Sequence, residues 1–92
     1  VSDIAIVQTH TLSESELLEL VQMVVDKMEQ RYQLVPTWVA ENTVSLQRTG
    51  VKGMLTFDAQ QVEVNIKLGM MMRPLRGTIE NAVREALREK LG

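Results

Sequence analysis

A chain of 92 residues has room for one domain around one core, and so small a domain gains from self-association. Hydrophobic residues at 45% and charged residues at 24% are ordinary globular proportions and exclude a disordered or fibrous chain. The absence of cysteine removes disulfides, thiolate nucleophiles and thiolate metal ligands, and a net charge of -2 gives no long-range pull towards nucleic acid.

Ile4 and Ile6 alternate with Asp3, Ala5 and Val7 in a short first strand ending at Thr9-His10-Thr11. Ser13 with Glu16 three residues on forms a capping box, and Leu12 against Leu17 is the hydrophobic staple around it, so a helix starts here. Leu17, Leu20, Val21, Val24, Val25, Met28 and Tyr32 fall on one face of that helix, with Glu19, Gln22, Asp26, Glu29 and Gln30 opposite. Pro36 prevents its continuation, and the pattern changes to period two through Trp38 and Ala40, then Val44 and Leu46. Asn42, which tolerates a left-handed backbone, sits where these two strands turn into a hairpin, and Gly50 and Gly53 punctuate the next connection. Met54 to Asp58 makes a fourth strand and Val62 to Leu68 a fifth, with Val64, Ile66 and Leu68 on one face. After a loop of three methionines and two arginines, Thr78 caps a last helix with the face Ile79, Ala82, Val83, Ala86, Leu87 and Leu91.

The expected product is a single α+β domain over residues 1–92, of order β-α-β-β-β-β-α. It is a two-layer sandwich with an antiparallel sheet and two helices on one face. The topology resembles the β-α-β4-α arrangement of the TATA-binding-protein-like and helix-grip group, an analogy of fold that carries no function with it. The open face of the sheet is expected to carry Thr37, Thr43, Ser45, Gln47, Glu63, Asn65 and Lys67, with Trp38 and Phe57 turned inward. That face lacks the basic stripe and stacking rings of a nucleic-acid binder.

Catalysis is poorly supplied, and no catalytic residue, metal site or cofactor is expected. The lone histidine, His10, lies in a strand-to-helix connection and suits a solvent or loop-packing role, Ser13 is a cap, and the carboxylates line a polar helix face. Arg84 and Arg88 stand among Glu80, Glu85 and Glu89 at helical spacing and should pair there. The residues with unusual character are Met70, Met71, Met72, Arg73 and Arg76, a candidate partner- or ligand-binding segment. Three consecutive methionines cannot all face one way, so at least one should point outward. The two arginines flank Pro74-Leu75 just ahead of a helix N-terminus, where an anion is favoured. No apolar run approaches the roughly 18 residues of a membrane span, and no basic-then-apolar leader opens the chain, so the expected compartment is the cytoplasm.

The tail Val64-Asn65-Ile66-Lys67-Leu68-Gly69, the methionine run, Arg73-Pro74-Leu75-Arg76-Gly77 and Ile79-Glu80 together carry a family likeness. His10 before Leu12, Arg31-Tyr32, Trp38 and Gly50-Val51-Lys52-Gly53 extend it along the whole chain. With these residues the sequence resembles the putative polyhydroxyalkanoic acid system proteins, also labelled polyhydroxyalkanoate granule-region proteins. Methionines stand here where that family's pattern has bulkier Phe or Leu after the glycine. The resemblance implies a bacterial, cytoplasmic, non-catalytic accessory protein of polyhydroxyalkanoate storage that acts by contact with a granule surface or granule protein, and it supplies no catalytic residues. Two other readings start from the residues. One is a small-molecule module that binds a hydroxyacyl or other acid through Arg73 or Arg76. The other is a homodimer joined edge to edge through the sheet.

Overall fold

The computed structural model describes residues 3–91, with side chains as far as Glu89. Strand β1 (Ile4–Thr9) leads into helix α1 (Glu14–Tyr32). Strands β2 (Val35–Ala40), β3 (Thr43–Arg48), β4 (Val51–Phe57) and β5 (Gln61–Leu68) follow. A 3-10 turn (Met70–Leu75) then runs into helix α2 (Arg76–Leu91). The order is the expected one. All neighbouring strands pair antiparallel in the sequence β1-β5-β4-β3-β2, so the meander β2 to β5 is closed by β1, and α1 carries the chain from one edge of the sheet to the other.

One face of this sheet holds the core. Registered rows such as Ile6–Val64–Leu55–Val44 and Ile4–Ile66–Gly53–Leu46 lie side by side across the strands, and their apolar members are at most 2% exposed. Against them α1 buries Leu17, Leu20, Val21, Val24, Val25 and Met28, and α2 buries Ile79, Ala82, Val83, Ala86 and Leu87. Each fully buried large aliphatic chain contributes about 1.5–3 kcal/mol, which makes this layer the main stabilising term. Ala82 and Ala86 are small enough for α2 to settle closely. The Leu91 side chain, last on the predicted face, lies outside those described. The Tyr32 hydroxyl donates to Thr78 O at 3.4 Å and Lys27 Nζ meets Glu89 Oε2 at 2.7 Å, so α2 runs antiparallel to α1.

The predicted capping box is present, with Glu16 N–H donated to Ser13 Oγ and Ser13 N–H to Glu16 Oε1. At its other end α1 is closed by Gln33 in the left-handed conformation (φ 59). Gln33 N–H reaches Glu29 O at 2.9 Å, and Leu34 packs into the core beyond it. The helix therefore stops before Pro36 is reached. Pro36 stands instead in edge strand β2, where a missing N–H costs the sheet least. The β2–β3 hairpin turns at Glu41-Asn42 without a positive φ at Asn42, and a bulge between Trp38 and Ala40 takes up the twist. Two further expectations are corrected. Strand β4 begins at Val51, three residues before the sequence pattern places it, with Gly53 inside it, and α2 begins at Arg76, which leaves Thr78 inside the helix. Trp38 shares the row of Val44 but is 46% exposed, its ring edge-on to Phe57 at 6.0 Å between centroids.

Candidate functional site

The candidate segment begins where β5 ends. Gly69 N–H donates to Gly50 O at 2.7 Å, so the exit from β5 is stitched to the β3–β4 turn. The approach needs two glycines. Gly50 holds φ 84, and a Cβ on Gly69 would stand 3.3 Å from Gly50 O. Gly69 O then accepts Met72 N–H at 3.0 Å and Arg73 N–H at 3.2 Å, and Arg73 O accepts Arg76 N–H. The loop expected from the sequence is therefore a hydrogen-bonded 3-10 turn that passes directly into α2.

This backbone sorts the five candidate side chains into two groups. Met72 turns inward, partly buried against the core and beside Gly50. Arg76 is exposed, but its Nε donates to Asp3 O at 2.8 Å. Asp3 in turn accepts Leu68 N–H on Oδ2 at 2.7 Å, so Arg76 ties the start of α2 to the β1–β5 edge. Met70 and Met71 point into solvent, 83% and 89% exposed, and the Arg73 side chain beside them has no hydrogen-bond or ion-pair partner among the described residues. Leu75, 40% exposed, continues the apolar surface. The expectation that at least one methionine faces outward is met by two. Ahead of α2, where an anion is expected to be favoured, the 3-10 turn runs straight into the helix, with Arg76 N–H donated to Arg73 O and the Arg76 guanidinium held on Asp3 O.

Next to the turn the structure brings together residues that the sequence pattern does not. With β4 starting at Val51, Lys52 stands directly opposite Lys67 in the β4–β5 register. A cleft of about 210 Å³ opens here, lined by Arg48, Gly50, Val51, Lys52, Lys67, Leu68 and Gly69. Placing Lys52 in a turn hides this pair. The strand alternation of Val51, Gly53 and Leu55 is the signal that would have found it.

The opposite end of the sheet is closed. His10, 8% exposed, receives Leu12 N–H on Nδ1 at 3.1 Å, so the ring carries its proton on Nε2 and donates it to Asp58 O at 2.7 Å. His10 N–H also reaches Gln60 O at 2.9 Å. Asp58 Oδ1 accepts Gln60 N–H at 2.8 Å and Gln61 N–H at 2.9 Å. These two bonds hold its carboxyl below the ordinary aspartate range, Gln60 contributing most, against a small opposing desolvation and with a minor further lowering from His10. His10 thus has the loop-packing role. Arg84 pairs with Glu80 at 3.3 Å as its spacing predicts.

The sheet's open face carries the expected polar residues, with Ser45 buried beneath the Gln47 amide that donates to it. It also exposes Val7, Val35, Val39 and Met54, of which the alternation with Ile4 and Ile6 anticipates only Val7. Among the described residues no three His, Asp or Glu side chains stand close enough together to hold a metal ion, and no helix is long and apolar enough to cross a membrane.

The model of one protein family, described as putative polyhydroxyalkanoic acid system protein, matches residues 4–91, and the chain belongs to that family. No curated protein and no solved structure matches it.

Proposed function

From this membership we propose that the protein is a cytoplasmic, non-catalytic accessory component of polyhydroxyalkanoate storage that docks on the granule surface through the Met70–Arg73 turn. The observation that carries the reading is the near-complete exposure of Met70 and Met71 on a backbone pinned by Gly50, Gly69 and Arg76. Adjacent exposed methionines present a soft apolar surface that adapts to an irregular partner, and a rigid base lowers the entropy lost on contact. Arg73, unpaired beside them, gives the contact a charged rim. The non-catalytic part of the proposal is supported by His10, both of whose ring nitrogens are engaged in holding loops.

The test is fractionation of cells that accumulate the polymer. Wild-type protein should sediment with the granules, and the Met70→Ser/Met71→Ser variant should move to the soluble fraction while keeping its thermal stability. Wild-type protein that stays wholly soluble and copurifies with no granule component overturns the proposal.

A further inference from the structure

We infer that the cleft between Lys52 and Lys67 is a binding site for a single anionic group, a carboxylate or a phosphate. Directly opposed residues on antiparallel strands have Cβ atoms about 4.5–5.5 Å apart, and like charges in that position repel. Here both are lysines, and neither has a hydrogen-bond or ion-pair partner among the described residues. The acid nearest in register is Asp3, which precedes the Ile4–Ile66 pair, and its carboxylate is turned to Leu68 N–H. On the same face of β5 the next acid, Glu63, is four residues from Lys67 and accepts the Asn65 amide. Among the described residues, therefore, no carboxylate forms an ion pair with either lysine.

Arg48 also lines the cleft, but it shares the core-facing row of Val51 and Leu68, and its Nη1 is held on Tyr32 O at 2.8 Å on the helix side of the sheet, so the charge offered to an anion is that of the two lysines. Gly50 and Gly69 contribute backbone without side chains, so a ligand can come close, and the cleft's roughly 210 Å³ suits a head group more than a whole drug-sized ligand. Such an anion would remove the lysine repulsion and gain charge-assisted hydrogen bonds from both ammonium groups. Gly69 lines the cleft and Met70 follows it, so an acyl chain attached to the head would leave along the exposed methionines. The site does not depend on the docking turn, since its charges lie on β4 and β5.

The test is titration of the 15N-labelled protein at constant ionic strength with inorganic phosphate, butyrate and octanoate, followed through backbone amide shifts. Saturable shifts centred on residues 50–52 and 67–69 are expected, and the Lys52→Gln/Lys67→Gln variant, with an otherwise dispersed spectrum, should bind at least about tenfold more weakly. A chain-length effect separates the sources. Tighter binding of octanoate than butyrate, lost in Met70→Ser/Met71→Ser, marks the head group of an amphiphile, and equal binding of all three marks a free small anion. Shifts that are absent, or that persist unchanged in the double lysine variant, overturn the site. The methionine variant should bind inorganic phosphate like the wild type, so loss of granule docking and loss of the anion site are read separately.

Discussion

The two ends of the sheet are built from similar parts and settle their polar groups in opposite ways. At the His10 end, one imidazole, one carboxylate and the backbone of two turns answer one another, so the β1–α1 and β4–β5 connections are locked together. At the Met70 end the backbone is equally well bonded, through Gly69, Gly50 and Arg76, but the side chains are left open. Two methionines are in water, and two lysines face each other with no ion-pair partner among the described residues. The loops are clamped at one end, and the proposed contact surface lies at the other.

His10→Ala should break the comparison most deeply. It removes the buried ring and strands Leu12 N–H and Asp58 O together, an expected loss of about 2–3 kcal/mol in urea unfolding. A loss below about 0.5 kcal/mol, the range of an unremarkable surface substitution, would mean that the clamp stabilises little. At the other end the largest effect should come from the backbone. Gly50→Ala forces a side chain into φ 84 with its Cβ 3.1 Å from Met72 Cγ, for about 1–2 kcal/mol. Gly77→Ala, with nothing near its new Cβ, should instead stabilise by about 0.4–1 kcal/mol. Equal effects at the two glycines would show that the stitch between Gly50 and Gly69 is not what fixes the turn.

Acid should sharpen the contrast. Asp58 has a lowered folded-state value, so the stability it contributes is complete above the ordinary aspartate range near pH ~3.9 and is lost as pH falls through that lowered value. The stability difference between wild type and Asp58→Asn, followed by urea unfolding from neutral pH to about pH 3, should therefore shrink as the solution is acidified. A difference that widens has the wrong sign for a carboxylate held ionised by Gln60 and Gln61.

These arrangements differ in how far they can be read from the chain. The capping box at Ser13, the one-sided face of α1 and the alternation in β5 are local signals, and each sets a boundary or a face without help from the rest of the molecule. The architecture follows from them because two one-sided helices and a run of alternating strands have few ways to share a core. What failed to show was tertiary in origin. Gln33 adopts a left-handed cap although glutamine gives no hint of one, because Leu34 is drawn into the core behind it. Trp38 stands half-exposed, which strand parity cannot report. The candidate turn was legible as a composition of Met and Arg, but not as a division of labour. Only the inward packing of Met72 and the reach of Arg76 to Asp3 O separate structural residues from free ones. The lysine pair needed a register, and register is a property of two strands.

That pair provides the finest test of the comparison. If the open end keeps its charges for a ligand, relieving their repulsion should raise stability and remove function together. Lys67→Glu turns a repelling cross-strand pair into an attracting one, worth about 0.2–1 kcal/mol in favour of the fold. The gain should fade between low and high salt, since exposed charges are screened beyond about 3 Å at 1 M ionic strength. The same variant should no longer show saturable phosphate shifts. A stability gain with anion binding intact would place the ligand elsewhere. No gain at low salt would mean that the two side chains already splay apart, and that the cleft carries less concentrated charge than the register of β4 and β5 implies.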